Sequence, residues 1–109
     1  MTCKLSYRCM CVTDLVASLH FYVAVFGFVR TEPAASPEGN GGRAQVARLR
    51  NAQGVELQLV AFRQPLPAGS GTRRPMTERG MTHLNFYVRD LEDTLADVLR
   101  HGGQVIEHT

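Results

Sequence analysis

The chain has 109 residues, of which 44% are hydrophobic and 20% charged, and it carries a formal net charge of +2. This length allows one compact domain but not two independent cores, so we expect a single domain over residues 1–109. The interspersed charges do not favour nucleic acid as a partner, no apolar run approaches the roughly 20 residues of a membrane span, and the N-terminus lacks the apolar core of a signal peptide, which together predict a cytoplasmic protein.

The first segment, residues 4–12, is rich in apolar and β-prone residues and is predicted to be a strand. It places Cys9 and Cys11 on one strand face, close in sequence to Cys3. Three crowded cysteines do not fit a secreted disulfide framework. A Cys-x-Cys pair can bind a soft metal, but nothing else in the chain has thiolate-site spacing, so we interpret these cysteines as small apolar residues.

A helix is predicted to follow, with Asp14 as its N-cap and Gly27 as the residue that ends it. His20 falls off the apolar side of this helix and is predicted to lie on its surface. The apolar side chains that recur at helical spacing are Leu15, Val16, Leu19, Tyr22, Val23 and Phe26.

Three strands complete the first half of the chain. They are predicted over residues 28–31, 44–50 and 55–62, and the short turn before the last strand contains a glycine where positive φ is expected. The first half therefore reads as a β-α-β-β-β module over residues 4–62. Residues 63–80 contain three prolines and three glycines without periodicity, which indicates a linker between two modules.

The second module is predicted over residues 81–109. It starts with a strand at residues 81–89, continues with a helix that Asp90 caps, and reaches the start of another strand at residues 104–106. His101 lies at the helix C-terminus, where a positive imidazolium is favoured. The apolar side of this helix consists of Leu91, Leu95, Val98 and Leu99. The last two strands of module one have no counterpart here.

The two modules are related by an internal repeat, in which residues 12–19 return as residues 88–95. Carried backward, the same offset pairs Tyr7 with His83. Each copy would place one side chain at the same point on its first strand, so the repeat predicts a pseudo-symmetric pocket that contains these two residues.

The last strand of module one carries a polar face. Glu56 and Gln58 lie on one side of this strand, whereas Val55, Leu57 and Leu59 lie on the other. A polar pair on a half-buried strand points to solvent or into a polar cavity, and the repeat favours the cavity. We therefore expect Glu56 and Gln58 to line the same pocket as Tyr7.

Two β-α-β-β-β copies, each with V-x-D-L-x-x-[ST]-L after its first strand, resemble the vicinal oxygen chelate superfamily, which includes glyoxalases, extradiol dioxygenases, methylmalonyl-CoA epimerases and bleomycin-resistance proteins. The similarity runs from about Leu5 to the C-terminus, and residues 18–22, 26–28 and 80–88 look like its most recurrent strings. The resemblance implies an α+β fold with two βαβββ modules in tandem that form a cup-shaped mixed sheet, the second module being incomplete at the C-terminus.

The resemblance also implies a metal site. In metal-dependent members the cup holds one divalent ion with up to four ligands, and this assigns His83 and Glu56 as ligands. Tyr7 occupies the equivalent first-strand position, and the fourth ligand would lie beyond Thr109. Such ligands suit Zn, Fe, Mn or Ni. Members often form homodimers, in which Tyr7 and Glu56 of one chain would meet His83 of the other; a cup within one chain remains the alternative.

Two functions follow from this resemblance. The first is a divalent-metal-dependent lyase, isomerase or dioxygenase acting on a small oxygen-chelating substrate, with Glu56 as catalytic base and with Tyr7 and Gln58 in the substrate pocket. The alternative is a metal-free ligand-binding protein similar to bleomycin-resistance proteins, whose cup is lined by Tyr7, Phe86 and Tyr87. Because the second module lacks its last strands, a fragment without an intact site is a third possibility.

Overall fold

Four strands form one sheet, accompanied by two helices, in the computed structural model, which describes residues 2–31, 43–69, 76–81 and 83–106. The elements in chain order are β1 (Arg8–Cys11), α1 (Leu15–Phe26), β2 (Val29–Arg30), β3 (Ala44–Arg50), β4 (Glu56–Phe62) and α2 (Leu91–Arg100). The sheet order is β1-β4-β3-β2. β1 is parallel to β4, and the other pairs are antiparallel. The β-α-β-β-β order of module one and the mixed sheet of an α+β fold are confirmed.

Helix α1 begins and ends where its local sequence predicts. The Asp14 carboxylate accepts a hydrogen bond from the backbone N–H of Ala17 at 3.1 Å, which satisfies one of the free donors of the first turn. At the other end Gly27 adopts a left-handed φ of 71°, and its backbone N–H bonds the carbonyl of Val23. A residue without a Cβ adopts this conformation at no steric cost, so Gly27 turns the chain directly into β2.

The core lies between α1 and one face of the sheet. In the register of β3 and β4, Leu49 lies opposite Leu57 and Ala47 opposite Leu59, and all four residues are at most 2% exposed. Phe28 joins this cluster from the chain after α1. The partly buried side chains that pack against the cluster are Met10, Val12, Leu19, Tyr22, Phe26, Leu84 and Phe86.

The opposite face of the same strands is polar at one end. We call it the open face. Arg48 lies opposite Gln58, and Arg50 lies opposite Glu56. Cys9, which pairs with Gln58 across β1 and β4, lies on this face too. All three cysteines are exposed free thiols, whereas the sequence led us to interpret them as small apolar residues, which usually lie buried.

Helix α2 lies beside α1 but buries little. Asp90 caps it by accepting from the backbone N–H of Asp93 at 3.0 Å. No residue of α2 is buried, and Leu91 and Leu99 of its predicted apolar side are 63% and 61% exposed. Before the helix, the Phe86 ring stacks on Phe26 with their centroids 4.3 Å apart. Among the described residues, neither helix combines the length and apolarity that a bilayer crossing needs.

The two strands predicted for module two are not present in the described residues. Residues 83–88 and 103–106 run without strand structure. In module one, β1 is held by hydrogen bonds to β4, whereas the four-stranded sheet of the described residues does not extend to residues 83–88 or 103–106. Strand structure depends on pairing with a neighbouring strand, which explains the difference from the sequence prediction.

Candidate functional site

Tyr7, Glu56 and Gln58 meet at one small cavity on the open face. Cys9 pairs with Gln58 in the parallel register of β1 and β4, so Tyr7, two residues earlier, comes next to Glu56. The cavity has a volume of about 100 Å³ and is lined by Ser6, Tyr7, Arg48, Leu49, Glu56, Leu57 and Gln58. The structure thus brings together three of the four side chains that the sequence predicts for the site.

Two arginines of β3 set the charge around this cavity. The Arg50 Nη2 atom donates to Glu56 Oε1 at 3.0 Å, and both side chains remain partly exposed, so the pair contributes little to stability. The Arg48 guanidinium lies 5.8 Å from the centroid of the Tyr7 ring, at cation–π distance. The Glu56 carboxylate is therefore already engaged, while Arg48 brings a positive charge to the rim of the cavity.

The side chain of Gln58 is the least satisfied polar group of the site. Its Oε1 atom is buried and has no hydrogen-bond partner among the described residues. Leaving a buried acceptor without a donor costs about 1–3 kcal/mol, so native proteins seldom retain one without a reason. Gln58 lines the cavity, so the cavity has an unsatisfied acceptor close to its surface.

His83 lines a different and larger cavity. This second cavity, of about 670 Å³, lies between the end of the sheet and the segment before α2, and it is bordered by Arg8, Phe28 and Leu57. Arg8 and Leu57 pair with each other in the sheet, and each comes one residue after Tyr7 or Glu56. Their side chains therefore lie on the opposite face of the sheet. The structure of one chain therefore does not bring His83 into the cavity of Tyr7, Glu56 and Gln58.

These positions determine whether one copy of the chain can hold the divalent ion that the resemblance implies. A catalytic ion usually has three protein ligands. The described residues contain no group of three or more His, Cys, Asp or Glu side chains placed to hold a metal. With Glu56 bound to Arg50 and His83 in the other cavity, the described residues of a single copy do not fit this ion.

Comparison with known proteins identifies the family. The sequence model of the family described as the Glyoxalase/Bleomycin resistance protein/Dioxygenase superfamily matches residues 9–109. The chain belongs to this superfamily. No curated protein matches the sequence significantly.

Solved structures support the same fold. A glyoxalase family protein from Bacillus cereus superposes with a TM-score of 0.78 at 17% sequence identity, covering 100% of this chain and 81% of that one. The protein SMU.1112c superposes with a TM-score of 0.63 at 22% sequence identity, and the superposition covers 93% of this chain and 77% of the SMU.1112c chain. At such identities these likenesses establish the glyoxalase-type fold and nothing about activity.

The sequence analysis did not predict that Arg48 and Arg50 lie around the small cavity of this superfamily member. The signal was present, because Arg48 and Arg50 alternate with the apolar Leu49 and so share a strand face. A turn at residues 51–54 would then have paired Arg50 with Glu56. Of the aromatic side chains predicted to line the cup, Tyr7 lines the small cavity, whereas Phe86 and Tyr87 line the second cavity with His83, and Phe86 also packs on the core.

Proposed function

We propose that this member of the superfamily is a small-molecule-binding protein whose ligand occupies the open face of the sheet at Tyr7, Arg48 and Gln58. The observation that carries the proposal is the Gln58 side chain, which lines the cavity and whose buried Oε1 atom lacks a hydrogen-bond partner among the described residues. A ligand N–H or O–H that donates to this atom would remove the desolvation cost of the free protein.

The surrounding side chains define the class of ligand. Tyr7 offers an aromatic face, against which a planar group can stack. Arg48 has no ion pair among the described residues and offers a planar set of donors to a carboxylate or phosphate. The ligand is therefore a small planar molecule that combines a hydrogen-bond donor with an acidic group. Aromatic hydroxy acids are the simplest compounds of this kind.

Saturation-transfer NMR with a panel of small aromatic hydroxy acids tests the proposal. We expect binding to the wild-type protein and its loss in Gln58→Leu, which keeps the side-chain size and removes the acceptor. The melting temperature of the free Gln58→Leu protein should rise, because an unsatisfied buried oxygen is replaced by an apolar group. Gln53→Leu, at an exposed turn position, is the matched control and should change neither property. Equal binding by wild type and Gln58→Leu would contradict the proposal.

A second candidate function is a divalent-metal-dependent lyase, isomerase or dioxygenase, formed when two copies associate. It is favoured by the internal repeat, which makes His83 the counterpart of Tyr7, together with the separation of His83 from Glu56 within one chain. Only a second copy could then bring the two side chains together, and Glu56 would exchange Arg50 for its new partners. This candidate therefore requires a homodimer.

A further inference from the structure

Two histidines meet where helix α1, on the core side of the sheet, contacts helix α2. The ring centroids of His20 and His101 lie 5.3 Å apart, with the ring planes tilted by 50°. The geometry points to an exchangeable zinc site at this pair, which joins the helix of module one to the helix of module two. This inference does not depend on the proposed ligand-binding function.

The orientation of His101 leaves one ring nitrogen available for a metal. Its Nδ1 atom lies 2.9 Å from the backbone carbonyl oxygen of Asp97. A carbonyl oxygen only accepts hydrogen bonds, so this contact assigns the proton to Nδ1 and the lone pair to Nε2. Metal-ligating histidines usually have this arrangement, since a backbone carbonyl on one nitrogen fixes the tautomer that binds through the other.

The separation of the two rings matches shared coordination. With Zn–N bonds of about 2.0–2.1 Å and a tetrahedral angle at the ion, two ligating imidazole rings have centroids about 5.2 Å apart. The observed separation of 5.3 Å agrees with this value.

The surroundings leave the pair accessible. His20 is exposed, and His101 is its aromatic-ring partner among the described residues. The Asp97 carboxylate is occupied by Arg100, whose Nη1 atom donates to it at 2.6 Å. The two imidazoles are thus the protein ligands, and water would fill the remaining positions. Such a site binds more weakly than a structural site with four protein ligands.

Zinc bound at this position would link helix α2 of module two to helix α1 of module one. Helix α2 has no buried residue, so apolar packing holds it to α1 only weakly. An ion that binds the docked helices but not the undocked ones stabilises the docked state according to its concentration and affinity. Occupancy of the pair would therefore control how firmly α2 is attached.

The test uses the untagged full chain, because a polyhistidine tag would bind the same ion. Isothermal titration with ZnCl₂ should show a binding event in the wild type that is weakened in His20→Ala by more than the roughly 10–100-fold that loss of an outer-shell partner costs. His20 is exposed, so this variant should fold normally. Zinc should also raise the melting temperature of the wild type more than that of His20→Ala.

Two further variants complete the test. His101→Ala should lose the same binding event, whereas His83→Ala should keep it, because His83 lines a separate cavity. Equal zinc binding by the wild type and His20→Ala would overturn the inference, as would loss of the event in His83→Ala alone. Neither result would change the outcome of the ligand-binding assay with Gln58→Leu. Failure of the zinc site and failure of the proposed function are therefore distinguishable.

Discussion

Two glycines at equivalent positions of the repeat, Gly27 and Gly103, are required for different reasons. Gly27 has a left-handed φ of 71°, and a Cβ there would meet nothing within 4 Å. At Gly103 the limit is space, because a Cβ would lie 2.5 Å from Val98 Cγ1 and 2.8 Å from Phe21 Cε1. Gly103 thus lets the chain after α2 pass close to both helices.

Substitution of Gly103 by alanine should therefore loosen the contact between α1 and α2. Forcing an extra methyl group into a packed site typically costs about 1–3 kcal/mol. Urea unfolding followed by circular dichroism measures this loss of stability, and Gln104→Ala, at the exposed next residue, is the control. If both variants unfold at the same urea concentration, Phe21 and Val98 can move aside and the close approach is not needed.

The thiol of Cys9 should react slowly. Although Cys9 is exposed as a residue, partial burial raises the pKa of its thiol above the usual value, and the neighbouring charge of Cys11 raises this pKa further. A raised pKa lowers the thiolate fraction at pH 8, and the thiolate is the reactive form. Peptide mass spectrometry after iodoacetamide pulses should show slower alkylation of Cys9 in the folded protein than in urea. Cys11→Ser should accelerate it, and no acceleration would argue against coupling of the two thiols.

At the scale of the elements, the two helices share one capping arrangement but differ in what they support. Asp14 and Asp90 each accept a backbone N–H bond from the residue three positions later. Helix α1 packs on the core through the buried Leu15, whereas α2 buries no residue. The same capping interaction therefore stabilises the whole domain in one case and a peripheral helix in the other.

Removal of the two caps should have different effects. Either substitution, Asp14→Ala or Asp90→Ala, should cost its helix about 0.5–2 kcal/mol. Asp14→Ala should lower the melting temperature of the domain, while Asp90→Ala should mainly accelerate amide hydrogen exchange within α2. The two variants form a matched pair, and equal losses of global stability would show that α2 unfolds together with the core.

The elements that the sequence predicts well are those with local signals. Asp14 and Gly27 mark both ends of α1, and period-two alternation correctly places Glu56 and Gln58 on one strand face. Strand structure at residues 83–88 could not be judged in this way, because it depends on a partner strand distant in sequence. The separation of His83 from Glu56 was missed for the same reason, since it depends on which strand lies beside that segment.

At the scale of the whole molecule, module two is incompletely covered. Tyr87 is 100% exposed and Met81 74%, both at the border of the second cavity. Where such side chains form a contiguous patch, they mark a surface that associates with another chain. We expect the protein to form dimers, and sedimentation velocity over a range of concentrations measures this directly.

Mixed dimers test whether a metal site forms between copies. Glu56→Ala and His83→Ala each remove one predicted ligand, and both would be made in a His20→Ala background so that the helix pair does not bind zinc. Suppose that each site takes Glu56 from one chain and His83 from the other. Half of the dimers refolded from an equal mixture of the two variants are then mixed dimers, and each mixed dimer has one intact site of two. The metal content should therefore recover to about a quarter of the parent value. Elemental analysis of the separate and mixed proteins measures it, and no recovery would exclude a shared site built from these residues.

Strand β4 separates the small cavity at Tyr7 and Gln58 from the core by a single layer of backbone. Gln58 contributes to the floor of the cavity, while its neighbours Leu57 and Leu59 are 2% and 0% exposed on the other side. A backbone shift that reshaped the floor would displace both leucines, and cores tolerate such displacement poorly. In evolutionary terms, new ligand preferences on this scaffold are expected to arise through exchange of side chains at positions 7, 48, 56 and 58, with the path of the strands unchanged.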